Sequence, residues 1–289
     1  MSRTAASSLV DEGRAALQAA GVPEARRDAE VLLTHVLAVD SALLHARPET
    51  PVEAGQASRY RALVARRAAR EPLQYLTGVQ EFWSLTFEVT PAVLIPRPET
   101  EGLVEAFLRL NRAPEPIVVD IGTGSGCLAV VAAREIPGAR VYASDVSAEA
   151  LQVARRNAAA HAVAGRIDFR LGDLLEPFRG AGLDGRVDFI VTNPPYVSDA
   201  DLPGLMPEVR DHEPRAALLG GPDGLEAHRR LARESPEFLK TGGHLLAEIG
   251  LGQESTLRAL YAGQRRLDLV AILPDLAGIP RVLIACARP

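Results

Sequence analysis

Over the first 70 or so residues apolar positions recur at helical spacing, Leu32 with Val36 and Leu37, then Tyr60 with Leu63 and Val64. This predicts a small helical bundle, broken at residues 21–23, at 47–51 and at Pro72. The pattern then changes to alternation over residues 82–89, and Val93-Leu94-Ile95 reads as a second short strand, so a β-hairpin is expected after the bundle. It ends in the stiff segment Pro96-Arg97-Pro98, after which residues 101–110 resume a helical pattern. Beyond that point apolar, β-branched runs at 117–120, 141–145, 167–171, 189–193, 244–249, 269–273 and 281–286 alternate with helical stretches such as 148–161. Such alternation predicts an α/β fold, a mostly parallel seven-stranded Rossmann-like sheet with helices on both faces. Only the short loop 274–280 separates the last two strands, too short for a helical crossover, so the last strand should be antiparallel. Three regions follow: a helical domain over 1–75, a hairpin linker over 76–98 and the α/β domain over 99–289.

Composition narrows the function classes. A chain of 289 residues has room for one large domain and a smaller one. No stretch approaches the length of a membrane span, and Asp11, Glu12 and Arg14 interrupt the region where a signal peptide needs an unbroken apolar segment, so a cytoplasmic protein is expected. A net charge of −5 and 4% aromatic residues argue against a surface that grips nucleic acid. Cys127 and Cys286 are too few for a disulfide framework or a zinc site and are expected in the core. Arg59, Arg61, Arg66, Arg67 and Arg70 crowd one predicted helix; a solvated face is the first reading and a partner-docking surface the second.

The run Phe189-Ile190-Val191 stops at Asn193-Pro194-Pro195-Tyr196, because proline has no N–H to continue a ladder. Open α/β sheets bind ligands at the carboxyl ends of their strands, so the tetrapeptide stands where chemistry is expected. A residue before proline is pushed into an extended conformation, which aims the Asn193 amide in a fixed direction and leaves the Pro194 carbonyl without a ladder partner. The two oxygens are spaced to accept both hydrogens of one –NH2 group, and Tyr196 adds a flat face beside them. A plain strand terminator with a packing tyrosine is the alternative. Upstream, Asp120-Ile121-Gly122-Thr123-Gly124-Ser125-Gly126-Cys127 reads as strand, glycine turn and helix. A dinucleotide fingerprint wants glycine or alanine in place of Cys127 and would set Asp120 beside a pyrophosphate, so a ligand that carries a cation is the better match. Asp120 holding the loop through backbone N–H groups is the competing reading. Asp145 ends the next strand, where a carboxylate accepts both hydroxyls of a ribose. After the third strand, Gly172-Asp173-Leu174 sets Asp173 to meet an adenine amino group and Leu174 to cover the ring. Glu248 ends a later strand at the same edge and suggests a minor role; His212 and His244 read as structural, and Trp83 as a packing anchor before a substrate contact.

In this order and spacing these features resemble the class I S-adenosylmethionine (SAM) methyltransferases. Within that class Asn-Pro-Pro-Tyr is shared by enzymes acting on adenine N6, guanine N2 and protein glutamine. The wider chain resembles the release-factor glutamine methyltransferase family (PrmC/HemK), through EPLQYLTG at 71–78, EFW at 81–83, LIPRPETE at 94–101, EPR at 213–215, GPDGL at 221–225, Gly242-Gly243, EIG at 248–250 and DLAG at 275–278. The resemblance implies SAM contacts on Gly122, Thr123, Gly124, Ser125, Gly126, Asp145, Asp173, Leu174 and Asn193, and a substrate glutamine on Asn193, Pro194, Pro195 and Tyr196. Some family members carry tryptophan at Leu174. It further implies methylation of the Gly-Gly-Gln loop glutamine of class I peptide-chain release factors on its side-chain nitrogen (N5), with S-adenosylhomocysteine as product, no metal, no membrane and no direct nucleic-acid partner. Asn193, Pro194 and Tyr196 would carry the chemistry, and the bundle and hairpin would recognise the protein substrate. The alternatives are an adenine-N6 or guanine-N2 nucleic-acid methyltransferase and a SAM-binding regulatory protein without turnover.

Overall fold

The computed structural model describes residues 4–289. Helices Ala6–Ala19, Ala25–Leu37 and Ala54–Ala68 bury Leu9, Leu17, Leu32, Leu33 and Tyr60 between them, with the short helices Ser41–Ala46 and Leu73–Thr77 alongside. Asp40 caps Ser41–Ala46 by accepting from Ala42 N at 2.8 Å. This bundle, up to Val79, forms one compact unit that also includes Met206–His212; Gln80–Leu205 and Glu213–Pro289 form the other. Residues 80–88 of the hairpin thus belong to the second unit, and a short helix far along the chain, Pro207–His212, belongs to the first.

Of the arginine cluster Arg59, Arg61 and Arg66 lie on the expected solvated face and Arg70 is half-buried, whereas Arg67 departs from that expectation. Arg67 follows Tyr60 and Val64 at helical spacing on the inward side and is only 6% exposed. Its Nε donates to Asp28 at 2.7 Å and its Nη2 lies 2.9 Å from Glu208, which also pairs with Arg70 at 2.7 Å. Arg61 pairs with Glu12, and Arg66 with Glu71. Asp28, Glu208 and Glu12 lie too far along the chain for a helical pattern to reveal them. Replacing one member of a buried pair strands the other, so Arg67→Met is expected to destabilise the protein by about 3–5 kcal/mol. Reversible chemical denaturation measures it; a loss below about 1 kcal/mol would mean that the Asp28 and Glu208 charges are solvated.

In the second unit seven strands form one sheet: β1 (Ile117–Ile121), β2 (Arg140–Asp145), β3 (Ile167–Leu171), β4 (Val187–Thr192), β5 (Leu239–Glu248), β6 (Leu267–Pro274) and β7 (Pro280–Ala287). Their order is β6-β7-β5-β4-β1-β2-β3, and only β7 runs against its neighbours. Alternate residues of β1 enter separate core layers, Val118 with Leu103, Val130 and Leu151 on one face, Val119 and Ile121 with Leu231, Phe238 and Leu257 on the other. The sheet therefore carries helices on both faces, as its apolar runs require. Cys127 is buried in the first of these layers, whereas Cys286 is only partly buried. Among the described residues, no helix is long and apolar enough to cross a membrane.

The hairpin lies elsewhere than the alternation predicts. Its strands are Val79–Phe82 and Leu85–Glu88, and residues 93–95 are not a strand. Trp83 and Ser84 make the turn with φ of 53° and 55°, so the run read as one strand folds back at its own second residue. Trp83 holds that turn: its backbone N–H donates to Glu101 at 2.8 Å and its indole N–H to Glu135 at 3.0 Å. Residues 93–95 are diverted because Val93 N closes a turn onto Thr90 O at 3.0 Å and Ile95 N donates to the buried Glu213 carboxylate at 3.3 Å. Glu213 also accepts from Arg97 at 2.5 Å, so the motif stretches LIPRPETE and EPR meet in space, as EFW meets Glu101.

Candidate functional site

The carboxyl ends of β1 to β4 open onto a cleft of about 160 Å³, lined among others by Gly122, Gly124, Asp145, Leu174, Asn193 and Pro195. Gly122 and Gly124 take φ of 65° and 54°, and no protein atom stands closer than 4.0 Å to where a Cβ would sit on either, so both leave room on the cleft side. Gly126 serves packing instead, since a Cβ there would meet Ala154 at 3.0 Å. Thr123 and Ser125 are buried behind the loop. The Thr123 hydroxyl donates to Asp120 Oδ2 at 2.6 Å, and the Ser125 carbonyl accepts from Asn157 Nδ2 at 2.8 Å. Asn157 also holds Glu88 N and Glu88 O, at 2.7 and 3.0 Å, and so ties the hairpin to the glycine loop.

Asp120 is fully buried beneath the loop. Its Oδ2 accepts from Ala129 N at 3.1 Å as well as from Thr123, which is the loop-holding role, while Oδ1 is buried without a hydrogen bond. Burial pushes its pKa up to about 7, against lowering by those two bonds. A carboxyl whose pKa is raised on folding contributes full stability below its unfolded value, near 4, and loses it as pH rises toward 7. Asp120→Asn is therefore expected to be less stable than wild type near pH 4–5 or equal to it, and more stable at pH 8, by thermal melts across that range. A parallel pH dependence in both proteins would contradict the assignment.

Asp145 lines the cleft, with Oδ2 accepting from Gly124 N and Oδ1 from Ser147 N, both at 2.9 Å. Each oxygen keeps a lone pair for a ligand hydroxyl. Burial raises its pKa against the pull of these backbone donors. Asp173 lines the cleft too and pairs with Arg230 at 2.5 Å. Leu174 adopts a left-handed φ of 46°, a strained backbone for leucine, secured where its carbonyl accepts from Ser144 Oγ at 2.8 Å. Val146 also lines the cleft and is 55% exposed, an apolar surface that sequence reading passed over. Its signal was available: an apolar residue directly after a strand-ending acid.

At the tip of β4, Asn193 Nδ2 donates to Thr100 Oγ1 at 3.2 Å, and Thr100 Oγ1 donates to Glu248 Oε2 at 2.6 Å. Tyr196 OH donates to the other Glu248 oxygen at 3.1 Å. Among the described residues, Asn193 Oδ1 and the Pro194 carbonyl accept no hydrogen bond. Pro194 and Tyr196 are not among the cleft-lining residues. Tyr196 is held by its hydroxyl and by its carbonyl, which accepts from Gln253 Nε2 at 3.1 Å. Gly224 lets the chain approach it, since a Cβ there would lie 2.2 Å from Tyr196 O. Burial, then the neighbouring Glu248 charge, raises the Tyr196 pKa, so its hydroxyl stays protonated. His212 lies in the first unit, and His244 stacks on Phe189 at 5.8 Å between ring centroids.

An adenosyl sulfonium fits these residues: carboxylate oxygens for a ribose, space beside two glycines, and apolar cover from Val146 and Leu174. Among the described residues, no group of three or more His, Cys, Asp or Glu side chains is placed to hold a metal ion. Residues 8–78 match the family described as PrmC N-terminal domain, and residues 100–205 the one described as Methyltransferase small domain. A release factor glutamine methyltransferase of Geobacter sulfurreducens is 44% identical over 95% of this chain and 94% of its own, and one of Moorella thermoacetica is 46% identical over 94% and 95%. Among solved structures the hMettl16 catalytic domain, in complex with MAT2A 3′UTR hairpin 6, superposes with a TM-score of 0.57 at 17% identity, over 78% of this chain and 81% of that one, a likeness of fold. Identity at this level over nearly the whole length places the chain in the release factor glutamine methyltransferase family, as a SAM-dependent glutamine methyltransferase.

Proposed function

We propose that the enzyme methylates the side-chain nitrogen of the glutamine in the Gly-Gly-Gln loop of class I peptide-chain release factors. The observation that carries this reading is the pair of unengaged acceptors, Asn193 Oδ1 and the Pro194 carbonyl, at the tip of β4. An amide nitrogen is a poor nucleophile because its lone pair is delocalised into the carbonyl. Accepting both of its N–H bonds raises electron density on the nitrogen and turns its lone-pair face in one direction. When bound, SAM supplies a methyl group on a positively charged sulfur that is already a good leaving group. Asp145 would hold the ribose, Gly122 and Gly124 would give room to the methionine end, and Val146, Asp173 and Leu174 would flank the adenine. Alignment at roughly 3–3.5 Å then supplies much of the rate. The nitrogen loses its proton after transfer, when it is cationic and acidic, so no strong base is required beside it. The helical bundle, which matches the PrmC N-terminal domain, is proposed to recognise the protein substrate.

The test is methyl transfer from labelled SAM to a purified class I release factor, followed by mass spectrometry of the Gly-Gly-Gln peptide. One methyl group on the glutamine side chain, absent when that glutamine is replaced, is expected. Label on another residue, or label on nucleic acid and none on the release factor, would overturn the reading.

A further inference from the structure

We propose that Thr100 and Glu248 are positioning residues that set which end of the Asn193 amide faces the cleft. A threonine hydroxyl has one hydrogen, and Thr100 gives it to Glu248 Oε2 at 2.6 Å. Toward Asn193 it is therefore left only as an acceptor, which selects Nδ2, at 3.2 Å, and turns Oδ1 away. Glu248 can demand that hydrogen because an ionised carboxylate only accepts; its other oxygen takes the Tyr196 hydroxyl at 3.1 Å. The network thus runs from the strand end of β5, through the turn before helix Glu101–Leu110, to the tip of β4. Its members are nearly sealed, Glu248 at 2% and Thr100 at 3% exposed, so water does not compete for the hydrogen. Rotating the Asn193 amide by half a turn would face its –NH2 group toward the substrate –NH2 group, two donors with nothing to share.

The inference rests on the reading of Asn193 Oδ1 as an acceptor for the substrate amide, and it adds a condition on protonation. If Glu248 takes a proton on Oε2 it becomes a donor to Thr100, the Thr100 hydrogen is released toward Asn193, and the flipped amide becomes the favoured one. Burial raises the Glu248 pKa; the bonds from Thr100 and Tyr196 and the charge of Arg281 on β7 lower it, and Glu99 raises it. His228, on helix Glu226–Phe238 behind the Glu248 backbone, is kept neutral by burial, with its pKa pushed down to about 4. Turnover should therefore fall on the acid side as pH drops through a value above the usual carboxylate range.

The experiment compares Thr100→Val, Thr100→Ser, Glu248→Gln and Asn193→Ala, using SAM and a purified class I release factor as substrate. Thr100→Val and Glu248→Gln are expected to lower kcat by about 10–100-fold, with SAM affinity and the KM for the release factor changed by less than about threefold. Thr100→Ser should restore most of the loss, since it keeps the hydroxyl, and Glu248→Gln should lack the acid limb of the kcat profile. The side-chain amide resonances of Asn193, assigned by their absence in Asn193→Ala, should move in Thr100→Val and Glu248→Gln. Wild-type kcat and unmoved resonances in those two variants, with Asn193→Ala still impaired, would overturn the relay and leave the amide clamp standing. Wild-type kcat in Asn193→Ala would instead remove the reading on which the relay rests. Lost SAM affinity in Thr100→Val would assign the network to loop structure and also overturn the proposal.

Discussion

Asn193→Ala is expected to lower kcat by about 10²–10³ while SAM affinity stays within a few-fold of wild type. The size follows from the role proposed for the side chain. One preorganised acceptor disappears from a site where the remaining one, the Pro194 carbonyl, cannot by itself fix the direction of an –NH2 group. The selectivity for turnover follows from where Asn193 sits. Its one side-chain hydrogen bond among the described residues goes to Thr100, whereas the groups proposed to meet the ribose and the methionine end, Asp145 and the glycine loop, are held by one another and by Asp120 and Asn157. Single-turnover transfer of labelled methyl, with calorimetry for SAM, separates the two quantities. Turnover near wild type would remove the clamp; a parallel collapse of SAM affinity would make Asn193 chiefly a cofactor ligand.

Asp145→Ala should show the opposite division. Two charge-assisted hydrogen bonds to a ribose are worth roughly 1.5–3 kcal/mol each, so SAM should bind at least about 10²-fold more weakly. The substitution also frees Gly124 N, which Asp145 Oδ2 holds at 2.9 Å, so part of the loss comes from a looser glycine loop. At saturating SAM kcat should recover most of its value, because neither Asn193 nor Pro194 is touched. Unchanged affinity by calorimetry would end the ribose assignment.

The strands were legible where they are short β-branched or apolar runs, as in β1 and β4, because burial on both faces requires such runs; the polar, glycine-containing first half of β5, Leu239–Gly243, lacks that signal. The cleft was partly legible for the same reason: strand ends mark one edge of the sheet, so residues following β1 to β4 had to gather there. The hairpin was misplaced because tryptophan and serine seldom adopt a left-handed backbone, and only the carboxylate of Glu101, eighteen residues along, reveals why they do here. Thr100 stands in the LIPRPETE motif with no role legible from sequence, since its partners Asn193 and Glu248 are distant along the chain and its proposed role lies in the direction of one hydrogen. Arg67 departs from the solvated face of its cluster for a similar reason: helical spacing tells which side a residue faces, and Asp28 and Glu208 decide what an arginine finds there.

The most direct measurement is a structure of the enzyme with S-adenosylhomocysteine and a peptide containing Gly-Gly-Gln. The glutamine side-chain nitrogen is expected about 3 Å from both Asn193 Oδ1 and the Pro194 carbonyl, with Asn193 Nδ2 still on Thr100. A glutamine whose carbonyl oxygen faces Asn193, or whose nitrogen touches neither oxygen, would contradict it.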